Sequence, residues 1–218
     1  MAVTMVVLGF MVGARSMEII GLSACDIRPN DGGVCVAVNR TKNDQEGFKR
    51  TSTLEYAEER QRCSVRWLQM YLVLTGKSRP RPGCTNASHP TRECHACPRL
   101  FENILSSGVV RNHQETRGLP KYRVSYIVKL VMAELVVVGV AEKKELRRYS
   151  SKSMRVGATS AAAAGGVRCQ VAAEHLRMRS ESTLKHYDRQ LASELGAVSR
   201  VLHGQIAGTA GRAARGGT

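Results

Sequence analysis

The 218-residue sequence predicts a mostly α-helical domain with a small antiparallel β-sheet, an α+β fold. Three observations carry this. Apolar residues recur at helical spacing in several long stretches, strict alternation occurs in one short stretch around residues 34 to 38, and a 43% hydrophobic content suffices for one substantial core.

The elements follow in order. Val3, Met5, Val6 and Phe10, then Met17, Ile19, Ile20 and Leu22, predict two helical stretches over residues 2 to 27, separated near Gly13. The segment from Asp26 to Gly33 breaks the pattern. Val34, Val36 and Val38 alternate with Cys35, Ala37 and Asn39, which predicts a strand. The polar NRTKNDQEG reads as a hairpin tip leading to a return strand near Lys49 to Leu54. Val65, Leu68, Met70, Tyr71, Leu72 and Leu74 predict a helix over 57 to 75. From Lys77 to Pro98 the chain is rich in Pro, Cys, His and Arg and supplies no core of its own, so a loop or a metal-stapled insert is expected there. Helical patterning resumes at Tyr122 to Val138, Ser153 to Ala164, Val171 to Arg177 and Ser182 to Leu195, with a short one at Gly196 to Leu202. The tail GQIAGTAGRAARGGT has the composition of a disordered segment.

The formal charge of +15 and pI near 10.0 favour a polyanionic partner, nucleic acid before others. The uncharged run from Met1 to Ala14 is too short for a membrane span and lacks the basic start and cleavage site of a secretory signal. No membrane partner is expected. Seven cysteines, mostly scattered, argue against a disulfide framework and for a reducing, intracellular setting: the nucleus in a eukaryote, otherwise the cytoplasm.

Four boxes belong together: GARSMEIIGLSACDI (13 to 27), RTKNDQEG (40 to 47), KSMRVGATSAAAAGGV (152 to 167) and STLKHYDR (182 to 189). Their order and spacing resemble the catalytic domain of the tyrosine recombinase (phage integrase) family, whose fold is shared with type IB topoisomerases. The resemblance spans roughly residues 2 to 203. It implies Arg15 as the first phosphate-binding arginine, Glu18 as its buttress, Lys42 as the hairpin lysine, Arg155 as the second arginine ahead of a closely packed small-residue helix, and Tyr187 as the nucleophile. Lys152 stands where recombinases usually carry histidine and topoisomerases tolerate lysine. Met178 stands nine residues before the tyrosine, where histidine or tryptophan is common; His175, Arg177 and Arg179 are the nearby alternatives.

The chemistry suits these residue types. Phosphoryl transfer builds charge on nonbridging oxygens, which guanidinium forks clamp bidentately and an ammonium does not. A tyrosine hydroxyl with a pKa near 10 in water needs surrounding cations such as Lys185, His186 and Arg189 to act as a nucleophile. The leaving 5′ oxygen needs a proton, which a hairpin lysine delivers. Because arginines supply the charge neutralisation that divalent cations supply elsewhere, no catalytic cofactor is implied.

Cys84, His89, Cys94 and Cys97, with His95 as a spare, follow C-x4-H-x4-C-x2-C, a candidate structural zinc set weighed against an unligated loop. Cys25, Cys35, Cys63 and Cys169 read as buried small hydrophobes.

The expected organisation is an integrase-like catalytic domain over 1 to 203 with the insert at about 77 to 98, a disordered tail at 204 to 218, and no N-terminal core-binding domain. The implied function is DNA cleavage and rejoining through a 3′-phosphotyrosine on double-stranded DNA, by a homotetramer, from a mobile element. Two alternatives stay open: relaxation of the topoisomerase IB kind, and a catalytically impaired basic DNA-binding module.

Overall fold

A computed structural model describes residues 1 to 38, 50 to 78, 84, 97 to 102 and 119 to 178. The expected hairpin tip with Lys42, the residues His89 and Cys94, the helices expected beyond residue 182 with Tyr187, and the tail lie outside the described residues.

Helix α1 (Ala2–Met11) turns Met5 and Leu8 into the core, and Gly13 reverses the chain at φ 56°, a left-handed conformation that glycine adopts without steric cost. Helix α2 (Ser16–Gly21) follows, contributing the fully buried Ile19. The sheet comprises β1 (Ile27–Asn30), β2 (Gly33–Val38) and β3 (Arg50–Glu55), antiparallel in the order β1-β2-β3. Its register sets Ile27 opposite Val36 and Val34 opposite Leu54. The first strand falls in the segment whose sequence reads as a break. Pro29 masks it, and an edge strand tolerates the proline because one side of its backbone makes no ladder bonds. Gly33 opens β2 where the backbone of β3 comes so close that a Cβ would meet Leu54 O.

Helix α3 (Ser64–Leu74) starts later than its apolar pattern suggests, after a 3-10 turn at Arg60–Arg62. Val65, Leu68, Tyr71 and Leu72 face inward, whereas Met70 and Leu74 are exposed and take no part in the core stripe. Helices α4 (Lys121–Val137), α5 (Ser151–Ala164) and α6 (Cys169–His175) fall where the sequence places them. Among the described residues no helix is long and apolar enough to cross a membrane.

The core gathers α1, α2, α3, α4, the inner face of β2 and Met154 of α5. Residues 97 to 102 belong to it too: Leu100 and Phe101 are fully buried, and Phe101 packs beside Tyr71 with ring centroids 5.5 Å apart. Lys77 Nζ donates to the carbonyls of Arg99 and Leu100 at 2.9 and 3.0 Å and pairs with Glu102, fastening this segment to the end of α3. Of the scattered cysteines, Cys25 and Cys63 are buried as expected, but Cys35 and Cys169 are only half-buried. Cys35 sits on the outer face of the central strand and Cys169 in the first turn of a surface helix.

Tyr71 donates its hydroxyl to Leu100 O at 2.8 Å, and burial, reinforced by the Glu102 charge, pushes its pKa up to about 12. The folded chain therefore keeps a proton that the unfolded chain, titrating near 10, gives up. Stability is intact below about pH 10 and falls by about 1.4 kcal/mol per pH unit up to about pH 12. Urea unfolding compared between the wild type and Tyr71→Phe should show this slope only in the wild type; the variant should lose roughly 1 kcal/mol at neutral pH with its hydrogen bond.

Candidate active site

The site is organised by one carboxylate. Glu18 lies in the first turn of α2, and its Oε2 accepts the backbone N–H of Arg15 at 2.9 Å, a cap that uses one of the amides a helix start leaves without an intrahelical partner. Its Oε1 accepts from Arg15 Nη1 at 3.2 Å. From the far end of the chain, Arg177 Nη2 reaches the same carboxylate at 3.2 Å, and Arg155 Nη1 stands 3.7 Å from it. The side chain of Glu18 is 2% exposed. Three guanidiniums thus meet one buried anion.

The three differ in how much they present to solvent. Arg15 has a side chain 35% exposed, and among the described residues its Nε and Nη2 make no hydrogen bond. Arg155, 10% exposed, spends its fork on backbone carbonyls: Gly13 O at 2.9 Å, Leu176 O at 2.6 Å and Arg177 O at 3.4 Å. It ties the α1–α2 turn to the chain beyond α6. Arg177, with no exposure, donates to Ser52 Oγ at 2.6 Å and Val12 O at 2.8 Å besides Glu18. Its φ of 53° is left-handed, which costs a non-glycine residue roughly 1 kcal/mol or more. Its bonds to the strand, the turn and the carboxylate offset that strain.

Packing explains how α5 brings Arg155 so close to Gly13. The helix is built from small residues at its contact face: Gly157 lies against Phe10, and a Cβ at Gly9 of α1 would run into Met154 Sδ. Ser150 caps α5 by accepting the Lys152 amide at 3.3 Å. Lys152 itself is exposed one turn ahead of Arg155.

His175 ends α6 half-buried, with Nε2 3.0 Å from Met11 O. Met178 is buried at 6% exposure among Ala158, Ala172, Ala173 and Leu176. A thioether offers no strong donor, so at this position it fills the small cluster under α5 and α6 rather than supplying a hydrogen bond. Lys42 and Tyr187 lie outside the described residues. The sequence indicates Arg15, Glu18 and Arg155 for one site and names Arg177 only as an alternative donor near Met178; it gives no sign that Arg177 and Ser52 form the far wall. A basic residue just past a helix end also suits an ordinary exposed cation.

No protein-family model and no curated protein sequence matches this chain. Solved structures do. A XerH site-specific recombinase bound to a palindromic difH substrate in a post-cleavage complex superposes with a TM-score of 0.56 at 14% identity, covering 91% of this chain and 45% of that one. A pre-cleavage complex of XerH with difH gives 0.54 at 14% identity, covering 85% and 42%. The fold is that of the tyrosine recombinase catalytic domain. The chain spans less than half the length of the recombinase chains it matches. Within this fold Arg15 is hydrogen-bonded to Glu18, and Arg155, remote from both in sequence, donates to Gly13 O and stands 3.7 Å from the same carboxylate.

Proposed function

We propose that the chain is a DNA strand transferase of the tyrosine recombinase kind, carried by a mobile element and acting as a homo-oligomer, a tetramer, on double-stranded DNA. The observation that carries this reading is the shared carboxylate Glu18, which holds the open fork of Arg15 beside the buried fork of Arg155 on a recombinase fold. The net charge of +15 supports a polyanionic substrate.

In this reading Arg15 grips a nonbridging oxygen of the scissile phosphate. Arg155 holds the turn that aims Arg15 and adds its own charge. Tyr187 Oη, its proton released to water, attacks phosphorus, and the P–O bond to the 5′ oxygen breaks as the 3′-phosphotyrosyl bond forms. Lys42 protonates the departing 5′ oxygen, and Lys152 adds positive field from the start of α5. The fork charges act in the transition state, where each well-placed donor contributes a few kcal/mol. The arginines take the role that a metal ion plays in other phosphoryl transferases, so the reading needs no catalytic cofactor.

A second reading, a basic DNA-binding module with an impaired site, is favoured by the burial of Met178 where a donor is expected. The test is incubation with a pool of nicked random-sequence duplexes, followed by denaturing electrophoresis and peptide mapping. A covalent adduct on Tyr187, absent from Tyr187→Phe, supports the transferase. Tight binding without adduct supports the module. Relaxation of supercoiled plasmid without recombinant products would assign the topoisomerase mode.

A further inference from the structure

Beyond the far end of α2 from Arg15, the chain makes a 3-10 turn, Ala24–Asp26, with Cys25 in its middle. Residues 97 to 102 run alongside. Ala24 N donates to Pro98 O at 3.0 Å, Leu100 N donates to Leu22 O at 2.7 Å, and Ser23 and Arg99 form an antiparallel bridge between them. Arg99 Nη1 adds a bond to Gly21 O at 2.6 Å. This backbone pairing brings Cys25 beside Cys97, both buried. Cys84 packs against the pair from a third point in the chain.

The three Sγ atoms all lie within 4.8 Å of one another. Sulfurs on a tetrahedral zinc, with Zn–S bonds of about 2.3 Å, stand roughly 3.8 Å apart. A disulfide would join two sulfurs and leave the third out, and simple packing would require no convergence of three thiols from separate segments. Three soft donors at this separation suit zinc.

We propose that Cys25, Cys84 and Cys97 bind one zinc ion as thiolates, clasping the cysteine-rich insert to the turn that follows α2. The set departs from the one the sequence pattern suggests, since it recruits Cys25 from outside the insert. The fourth position goes to a donor that these three sulfurs do not specify. The role is structural. The insert lacks apolar residues for a core, and metal ligation supplies the free energy that fixes it. Loading releases the thiol protons, so zinc affinity should fall as pH drops.

The test is metal analysis of the full chain purified without chelator, together with cobalt(II) reconstitution of the wild type after zinc removal. The wild type should carry about one zinc per chain, falling roughly tenfold or more in each of Cys25→Ser, Cys84→Ser and Cys97→Ser but not in Cys169→Ser. Cobalt should give the intense thiolate-to-metal charge-transfer absorption and tetrahedral ligand-field bands, a readout that does not depend on any variant folding. A Cys25→Ser protein that keeps its zinc, a wild type with neither zinc nor the cobalt signature, or iron or copper in zinc's place would overturn the proposal. None of these outcomes depends on whether the chain cleaves DNA.

Discussion

Glu18→Ala should destabilise the folded domain by about 3 to 5 kcal/mol, the cost of removing one partner from a buried charge group. The reason lies in what would remain. The Arg177 guanidinium is wholly buried and that of Arg155 nearly so, and both would keep their charge without the carboxylate that balances it. For a domain of this size such a loss lowers the melting temperature by roughly 10 °C. Arg15→Ala removes a pair that is one-third exposed, and solvent screening keeps that cost within about 1 kcal/mol. Thermal unfolding of the two variants side by side checks the contrast; equal shifts would mean that Glu18 serves Arg15 alone. A double variant, Glu18→Leu with Arg177→Met, should recover part of the loss, because the stranded charge leaves with its partner.

The contrast between these arginines also marks how far sequence reading reaches here. The Gly13, Arg15, Glu18 group is legible through its resemblance to a family box, and its contacts prove local: a helix start, a cap three residues on, and a glycine at the left-handed turn before it. Arg155 is legible through the same resemblance, as an arginine ahead of the small-residue run GATSAAAAGG, in which Gly157 lies against Phe10 of α1. Other features depended on distant pairing that no local pattern encodes. Arg177 reaches Glu18 across most of the chain, and a basic residue after a helix end carries no mark of complete burial. Pro29 hid β1 because the local rule against proline in strands yields only at an edge. Cys25 lies in an apolar context and reads as filler until the ladder to residues 97 to 102 sets it beside Cys97. Met178 stands where a donor is expected, and its neighbours make it a core residue.

Binding and integrity should separate at Arg15 and Arg155, two of the three arginines that meet Glu18. Arg15→Ala should reduce the salt slope of DNA binding, the steepness with which affinity falls as salt rises, by about 0.9, the loss of one phosphate contact. Its melting temperature should barely move. Arg155→Lys should behave differently, because the bonds of Arg155 to Gly13 O and Leu176 O need a fork whose two ends point at separate carbonyls. An ammonium is a compact point charge and cannot span them in that geometry. The α1–α2 turn would lose its tie to the chain past α6, and the aim of Arg15 would loosen with it. Adduct formation on nicked duplex should then fall by about 10² to 10³, the loss seen when a transition-state donor is displaced, accompanied by a lower melting temperature. The two readouts distinguish the roles. Loss of adduct without loss of stability in Arg155→Lys would assign that residue to direct phosphate contact alone. An unchanged salt slope in Arg15→Ala would remove the open fork from the DNA interface.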